Sequence, residues 1–117
     1  MQIDERTSGD IILVGVTGEI TLNQGGDLML KDKIRSLIQN GHRKLVVDMA
    51  KVSYVDSAGL GELVQAQSTV RNHGGVLKLS SPPQRLRELL VLTKLTTVLR
   101  VYDDETQALE SFATQPV

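Results

Sequence analysis

Short runs of apolar residues alternate along this chain with segments of helical periodicity, and glycine-containing turns separate them. The first two runs, residues 2–7 and 11–17, flank Ser8-Gly9-Asp10, whose residues favour a turn, so this region predicts a β-hairpin. A third run, residues 45–47, lacks polar alternation and therefore fits a strand that is buried on both faces. The alternation leaves few folds open, because strands that alternate with helices build βαβ units around a parallel sheet.

The remaining segments complete this pattern. Helical spacing predicts a helix from Asp27 to Asn40, capped by Asp27 and closed by Gly41. Met29 and Met49 are expected to fill the core. The further expected elements are a helix over 58–73, a strand over 76–79, a helix from Pro82-Pro83 to about residue 92, a strand over 98–101 and a helix over 104–112 with an acidic start. The order β-β-α-β-α-β-α-β-α predicts an α/β fold, with flanking helices and a mixed sheet whose later strands are parallel.

Composition fits one globular domain and narrows the possible functions. The 117 residues, of which 40% are hydrophobic and 23% charged, predict a single domain over residues 1–117 with a frayed tail at 114–117. A net charge of −1 argues against general nucleic-acid binding, which uses an excess of positive charge. The N-terminal start is polar, and the longest apolar runs are far shorter than the ~20 residues of a spanning helix. We therefore expect a cytoplasmic protein without stable membrane insertion.

The usual enzyme signatures are missing or incomplete. Without cysteine, the chain has no disulfide framework, thiolate zinc site or cysteine nucleophile. His42 and His73 each lie beside a helix-ending glycine, where capping explains them better than catalysis or metal binding. Ser57 lies between a strand and a helix, as a hydrolase nucleophile does, but Val55 stands where the nucleophile elbow needs glycine. We expect no enzyme, cofactor or metal site; a small hydrolase that uses Ser57 and a nearby base is a remote alternative.

The most informative segment is Asp56-Ser57-Ala58-Gly59-Leu60-Gly61, which leads from the buried strand into a helix. Ser57 falls at the N-cap or within one residue of it, and capping alone would account for a serine there. Two glycines in the first turn need another reason, because glycine costs ~1 kcal/mol relative to alanine in a helix interior. They would leave the first N–H groups open to a group that approaches from outside, as in an anion site. On the residues alone, plain capping and a functional helix start both stay open.

This segment resembles the D-S-[STA]-G-L-G signature of STAS domains, the anti-sigma factor antagonist family. Gly18-Glu19-Ile20 resembles the G-E-[IL] that follows the second strand of the family. Asn72-His73-Gly74-Gly75 resembles its glycine-rich turn before the next strand, and residues 89–95 resemble its later helix and the turn after it. The resemblance covers nearly the whole chain and implies the STAS fold, a mixed sheet with flanking helices.

The resemblance also implies a phosphorylation-controlled partner switch. In the family, an anti-sigma factor that is also a serine kinase phosphorylates the serine after the motif aspartate, and this role falls on Ser57. The unphosphorylated antagonist binds the anti-sigma factor and frees the sigma factor, and a metal-dependent serine phosphatase resets the switch. The expected partner-binding surface consists of Asp56, Ala58, Gly59, Leu60, Gly61 and Thr21.

One position departs from the family pattern. The aspartate that usually follows G-E-[IL] is Thr21 here, and a neutral threonine cannot supply the same charge or metal-directed contact. The departure implies either a poorer kinase substrate or a subgroup with another type of partner. The alternative within the family is a STAS subunit of a stressosome-like or lipid-transport complex that works without the sigma switch.

Overall fold

The computed structural model describes residues 1–23 and 25–114. Within these residues, five strands and four α-helices follow one another in the predicted order. The strands are β1 (Gln2–Ser8), β2 (Ile11–Ile20), β3 (Lys44–Val55), β4 (Val76–Ser80) and β5 (Arg100–Tyr102). The helices are α1 (Gly26–Gln39), α2 (Ser57–Asn72), α3 (Gln84–Leu92) and α4 (Glu105–Thr114). A short 3₁₀ turn that the sequence did not predict, Leu95–Thr97, follows α3.

The five strands form one mixed sheet in the order β1-β2-β3-β4-β5. β1 pairs antiparallel with β2 through the hairpin, whereas each later pair of neighbours is parallel. Two neighbouring parallel strands need a crossover that brings the chain back to the end of the sheet where both strands begin. The helices α1, α2 and α3 form these crossovers. The predicted mixed sheet with parallel later strands is therefore confirmed.

Helices cover the two faces of the sheet unequally. α1, α2 and α3 pack on one face, where their apolar side chains and alternate strand residues form the main core. α4 packs on the other face against a smaller cluster that includes Ile11, Leu13 and Val46. Neighbouring residues of one strand thus serve different layers: Ile12 enters the main core and Leu13 the cluster under α4. Among the described residues, no helix combines the length and apolar character needed to cross a membrane.

Two strands are longer than the sequence predicted. β2 runs on through Gly18, because glycine adopts a φ of 99° there and the ladder to β3 shifts register on both sides of it. β3 continues beyond residues 45–47 to Val55. After Asp48 it pairs with β2 alone. This half of the strand contains polar residues such as Lys51, so it does not form the continuous apolar run on which the prediction was based. The end of β3 therefore projects past the end of β4.

The start and the exposed side of α1 correct the sequence-based prediction. α1 begins at Gly26 with Gly25 as its N-cap, so the predicted start and cap at Asp27 were wrong; the side chain of Asp27 lies outside the described residues. Met29, expected in the core, is 41% exposed, whereas Met49 is fully buried as predicted. The reason is angular, since Met29 lies ~100° around the helix from the first member of the buried stripe. That stripe consists of Leu30, Ile34, Leu37 and Ile38.

α1 and α2 both end on a glycine in the left-handed region. Gly41 and Gly74 follow the two helices with φ of 93° and 81°. In α2, the N–H of Gly75 donates to the carbonyl of Val70 at 2.9 Å, and α1 ends with the equivalent bond at 3.0 Å. These bonds belong to the Schellman motif, which satisfies carbonyls that the helix end would leave unpaired. The predicted ends at glycine are confirmed.

The C-terminal elements lie close to their predicted positions. α3 starts at Gln84 with Pro83 as its N-cap, so the predicted start at Pro82-Pro83 was two residues early, and β5 begins two residues later than predicted. At the start of α4, the Oδ1 of Asp104 accepts the N–H of Gln107 at 2.8 Å, as the acidic helix start predicts. Of the tail that was predicted to fray, Thr114 is the last residue of α4, and residues 115–117 lie outside the described part of the chain.

Candidate functional site

The predicted site lies at the edge of the sheet where β2 and β3 end side by side. Ile20 pairs with Val55 at this edge, and the chain then passes through Asp56 directly into α2. In open α/β sheets, ligands bind outside the carboxyl ends of the strands, where loops and helix N-termini meet. Asp56 and Ser57 occupy this position.

Asp56 caps α2 and joins it to the loop that follows β2. Its Oδ1 accepts the N–H of Gly59 at 2.8 Å, and its Oδ2 accepts the N–H of Leu22 at 3.0 Å. The N–H of Asp56 donates to the carbonyl of Ile20 at 3.3 Å. The hydrogen bonds from Gly59 and then from Leu22 hold the pKa of Asp56 below its ordinary value, because they favour the ionised carboxylate. A charged carboxylate thus connects two segments that are 34 positions apart in sequence.

Ser57 is the first residue of α2, one position after the N-cap. The sequence placed it at the cap or within one residue of it, and the structure assigns the cap to Asp56. The side chain of Ser57 is exposed. Because Asp56 closes the helix start, the Ser57 hydroxyl is not needed for capping and stands at the surface.

The two glycines of the first turn have different roles. Gly59 is buried, and a Cβ on it would lie 2.0 Å from the carbonyl oxygen of Ile20, so only glycine lets α2 approach the end of β2 this closely. Its N–H bonds to Asp56, and the expectation of an open N–H group at this position was wrong. Gly61 is exposed, with nothing within 4 Å of a Cβ placed there. Packing inside the domain therefore explains Gly59 and leaves Gly61 unexplained.

The other residues of the expected partner surface differ in accessibility. Ala58 and Leu60 are partly exposed next to Ser57, and Leu60 also packs against the main core. Thr21 is only 6% exposed, and its carbonyl accepts the N–H of Gly26 at 3.0 Å where α1 begins. Thr21 therefore presents almost no side-chain surface to a partner.

Exposed apolar side chains flank this edge on both sides. On the side of α1, Leu22 is 64% exposed, and Leu28 and Met29 are exposed as well. On the side of α3, a groove of ≈ 410 Å³ lies between the projecting end of β3 and the helix. The apolar residues that line this groove are Val55, Leu86, Leu89 and Leu92, with the ring of Tyr54 beside them. Apolar side chains grouped in this way are typical of protein interaction sites.

The two histidines lie far from Ser57. His73 is the C-cap of α2, with its Nδ1 2.8 Å from the carbonyl oxygen of Thr69, so its predicted capping role is confirmed. α2 has 16 residues and is about 24 Å long, which separates His73 from Ser57. His42 precedes β3, and Ser57 follows the other end of that strand. The hydrolase alternative thus loses both histidines as bases. In the described part of the chain, no group of three or more acidic or histidine side chains could hold a metal ion.

Sequence reasoning missed the bond between Leu22 and Asp56 and the apolar surface around the site. No local pattern connects Leu22 with Asp56, because their contact depends on β2 and β3 ending at the same height. The apolar surface left a signal in α1. Leu28 and Met29 fall outside the i, i+4, i+7 series that begins at Leu30, and this series alone would have predicted their exposure.

The chain is similar in sequence and in fold to STAS domains and anti-sigma factor antagonists. The sequence model of the STAS domain matches residues 2–108. The anti-sigma-B factor antagonist of Bacillus subtilis is 31% identical over 101 residues, which are 86% of this chain and 90% of the relative. A solved anti-sigma factor antagonist from Mycobacterium paratuberculosis has a TM-score of 0.82 at 21% identity, over 94% of this chain and 92% of that one. Phosphorylated SpoIIAA from Bacillus has a TM-score of 0.72 at 16% identity, over 95% and 99%.

Proposed function

The chain belongs to the STAS domain family, and we propose that it is an anti-sigma factor antagonist controlled by phosphorylation of Ser57. In its unphosphorylated form it binds an anti-sigma factor that is also a serine kinase, and in its phosphorylated form it releases this partner. The observation that carries the proposal is the exposed hydroxyl of Ser57 beside a helix cap that Asp56 already provides. A kinase can modify this hydroxyl without removing a hydrogen bond on which the helix start depends.

Phosphorylation changes the surface charge much more than it disturbs the fold. Phosphoserine adds about −1.5 to −2 charges, next to the Asp56 carboxylate, whose pKa the N–H groups of Gly59 and Leu22 keep low. The helix macrodipole stabilises negative charge at the start of α2 by ~0.3–1 kcal/mol, which offsets part of the repulsion. A docked partner has no such compensation, and a loss of about 2.8 kcal/mol is enough to weaken its binding about 100-fold. The switch therefore acts on the partner interface.

The anti-sigma factor docks on the edge around Ser57 in this proposal. Leu60 and Leu22 supply apolar contacts, and Gly61 leaves room for the partner backbone to come close, since no side chain stands above it. Thr21 contributes through the position of its backbone, because its side chain is buried. The negative charge of the unphosphorylated surface then comes from Asp56.

A metal-dependent serine phosphatase is the proposed second partner, which returns Ser57 to its free form. The exposed position of Ser57 suits both enzymes, since each must bring its own catalytic groups to the hydroxyl or phosphate. The chain itself is a binding module in this scheme and carries out no catalysis.

The test is a pull-down from lysate of the source cells, read by mass spectrometry. The baits are the wild type, Ser57→Ala, Ser57→Asp and the matched control Ser36→Asp, which adds the same charge at an exposed position in the second half of α1. We expect a kinase-type anti-sigma factor with every bait except Ser57→Asp. The recovered partner, purified, should then phosphorylate the wild type and leave Ser57→Ala unmodified.

Two outcomes would contradict the proposal. Equal capture of the anti-sigma factor by Ser57→Asp and wild type would mean that charge at Ser57 does not control binding. Capture of the same stressosome-like or lipid-transport components by all four baits would assign the chain to a complex without the sigma switch.

A further inference from the structure

Lys78 is a buried cation at the centre of the sheet. It lies in β4 and is only 1% exposed, although lysine is rarely buried without a counter-ion. The sheet register places it between Val46 of β3 and Arg100 of β5, on the face that α4 covers. Lys78 is separate from the site at Ser57, because none of its contacts involves the start of α2 or the loop after β2.

The ammonium of Lys78 is held by α4 and by aromatic rings. Its Nζ donates to the Oγ of Ser111 at 2.6 Å, and this hydroxyl donates in turn to the carbonyl of Ala108 at 2.6 Å. The same Nζ lies 4.1 Å from the ring centroid of Phe112 and 5.4 Å from that of Tyr102. Phe112 is the single phenylalanine of the chain. Cation–π contacts of this kind stabilise a desolvated ammonium, and two of the three groups named here, Ser111 and Phe112, belong to α4.

Among the described residues, no carboxylate forms an ion pair with this ammonium. Asp48 of β3 and Glu105 of α4 both pair with Arg6. The charged and titratable groups on this side are Asp4, Arg6, Lys44, Asp48, Lys51, Arg100, Tyr102 and Glu105. Burial lowers the pKa of Lys78, Tyr102 opposes this shift, and the positive charge of Arg100 adds to it. The docked helix thus covers a positive charge that would be better solvated if α4 moved away.

α4 has little else to hold it. It buries Ala108 and Phe112 in the cluster on this face and packs the partly buried Leu109 against it, whereas the main core on the opposite face joins three helices to the sheet. An element with few buried apolar side chains opens at a lower free energy than the whole domain. The ion pair of Glu105 with Arg6 is partly exposed and adds little.

We propose that the protonated ammonium of Lys78 favours undocking of α4. In this motion α4 leaves the sheet as a unit, while the edge at Ser57 keeps its structure. Undocking hydrates the ammonium and uncovers Ile11, Leu13 and Val46, an apolar strip on the face opposite α1, α2 and α3. The direction of the pH effect follows from linkage. Because the docked state binds the proton of Lys78 less tightly than the undocked state, docking strengthens as the pH rises from the lowered pKa of Lys78 towards the ordinary lysine value of 10.5, and it is weakest below that lowered pKa.

The test is amide hydrogen exchange of the full chain by NMR, corrected for intrinsic exchange rates, from about pH 7 to about pH 10, just below the ordinary lysine value. We expect the α4 amides to exchange through a common opening that is faster than the opening of β3 and β4, and to become more protected as the pH rises. In Lys78→Met, which keeps the volume and removes the charge, this opening should be about fivefold rarer near pH 7, and its pH dependence should vanish. The matched control is Lys31→Met, a lysine of α1 on the opposite face of the sheet, which should leave α4 unchanged.

Ser111→Ala keeps the proposal testable if Lys78→Met does not fold. Removal of the Ser111 hydroxyl takes away the acceptor that α4 offers to the ammonium, so we expect the α4 amides to exchange faster than in the wild type. The proposal is overturned if the α4 amides exchange only with the global unfolding of the sheet. It is equally overturned if the opening of α4 in the wild type does not depend on pH beyond the intrinsic rates.

Discussion

The first turn of α2 contains two glycines whose replacement by alanine should have opposite effects. Gly61→Ala should raise the free energy of unfolding by ~0.5–1 kcal/mol, because alanine favours the helix and its Cβ meets nothing within 4 Å. Gly59→Ala should lower it by ~1–3 kcal/mol, because its Cβ would collide with the carbonyl oxygen of Ile20. Urea unfolding of both variants beside the wild type measures the two values.

The same pair of variants separates folding from partner binding. If Gly61 serves the partner interface, Gly61→Ala should bind the anti-sigma factor more weakly than the wild type although it is the more stable protein. Equal binding would remove Gly61 from the proposed docking surface, and a stabilised Gly59→Ala would contradict the close approach of α2 to β2.

Asp56 should make the stability of the domain depend on pH in the acid range. Its pKa is lower in the folded state than the ordinary value of 3.8, mainly through the N–H of Gly59, so the folded state favours the ionised form. The stabilisation is therefore complete above that value and is lost as the pH falls through the folded pKa. In Asp56→Asn we expect lower stability at neutral pH and a smaller loss of stability from about pH 5 to about pH 3.

A second variant serves as the reference for this measurement. Asp10, in the hairpin turn, also has a lowered pKa through its bond with Lys44 of β3, so Asp10→Asn should remove part of the acid dependence without affecting the start of α2. Thermal unfolding against pH for the two variants distinguishes them. An acid dependence in Asp56→Asn that equals that of the wild type would mean that the carboxylate of Asp56 does not stabilise the fold.

At the scale of the element, the glycine that ends α2 shows how a positive φ affects stability. Gly74 and Gly61 both have open space where a Cβ would lie, but Gly74 has a φ of 81°. Gly74→Ala should therefore lower the free energy of unfolding by ~1–2 kcal/mol, the opposite sign to Gly61→Ala. If both alanine variants were more stable than the wild type, the left-handed end of α2 would be wrong.

Strands and helices could be predicted from the sequence where the pattern that indicates them lies within a few neighbouring residues. The order of strands and helices followed from periodicity, and the end of α1 followed from Gly41, because both signals lie within a few neighbouring residues. The second half of β3 escaped prediction because it pairs only with β2 and carries polar residues such as Lys51. At the site, the motif led to Ser57, but the capping role of Asp56 and its bond to Leu22 required the positions of two strands.

At the scale of the whole molecule, charge at Ser57 should leave the fold in place. Because Ser57 is exposed and Asp56 provides the cap, Ser57→Asp should change the free energy of unfolding by less than ~1 kcal/mol. Changes in backbone amide chemical shifts should be confined to the first turn of α2 and the loop at Leu22. Shift changes across β4 and β5 would instead mean that the switch works by rearranging the sheet.

Because a side chain at position 59 would collide with Ile20, glycine at this position is constrained by the fold and not by the partner. A descendant of this protein that lost its partner, and with it any need for Ser57, would still need glycine at 59 to bring α2 against Ile20. Positions 57 and 61 would be free to drift in that lineage, and alanine at 61 would be favoured. Among relatives, a glycine kept at 59 therefore records only a shared architecture, whereas serine at 57 together with glycine at 61 would record a switch still under selection.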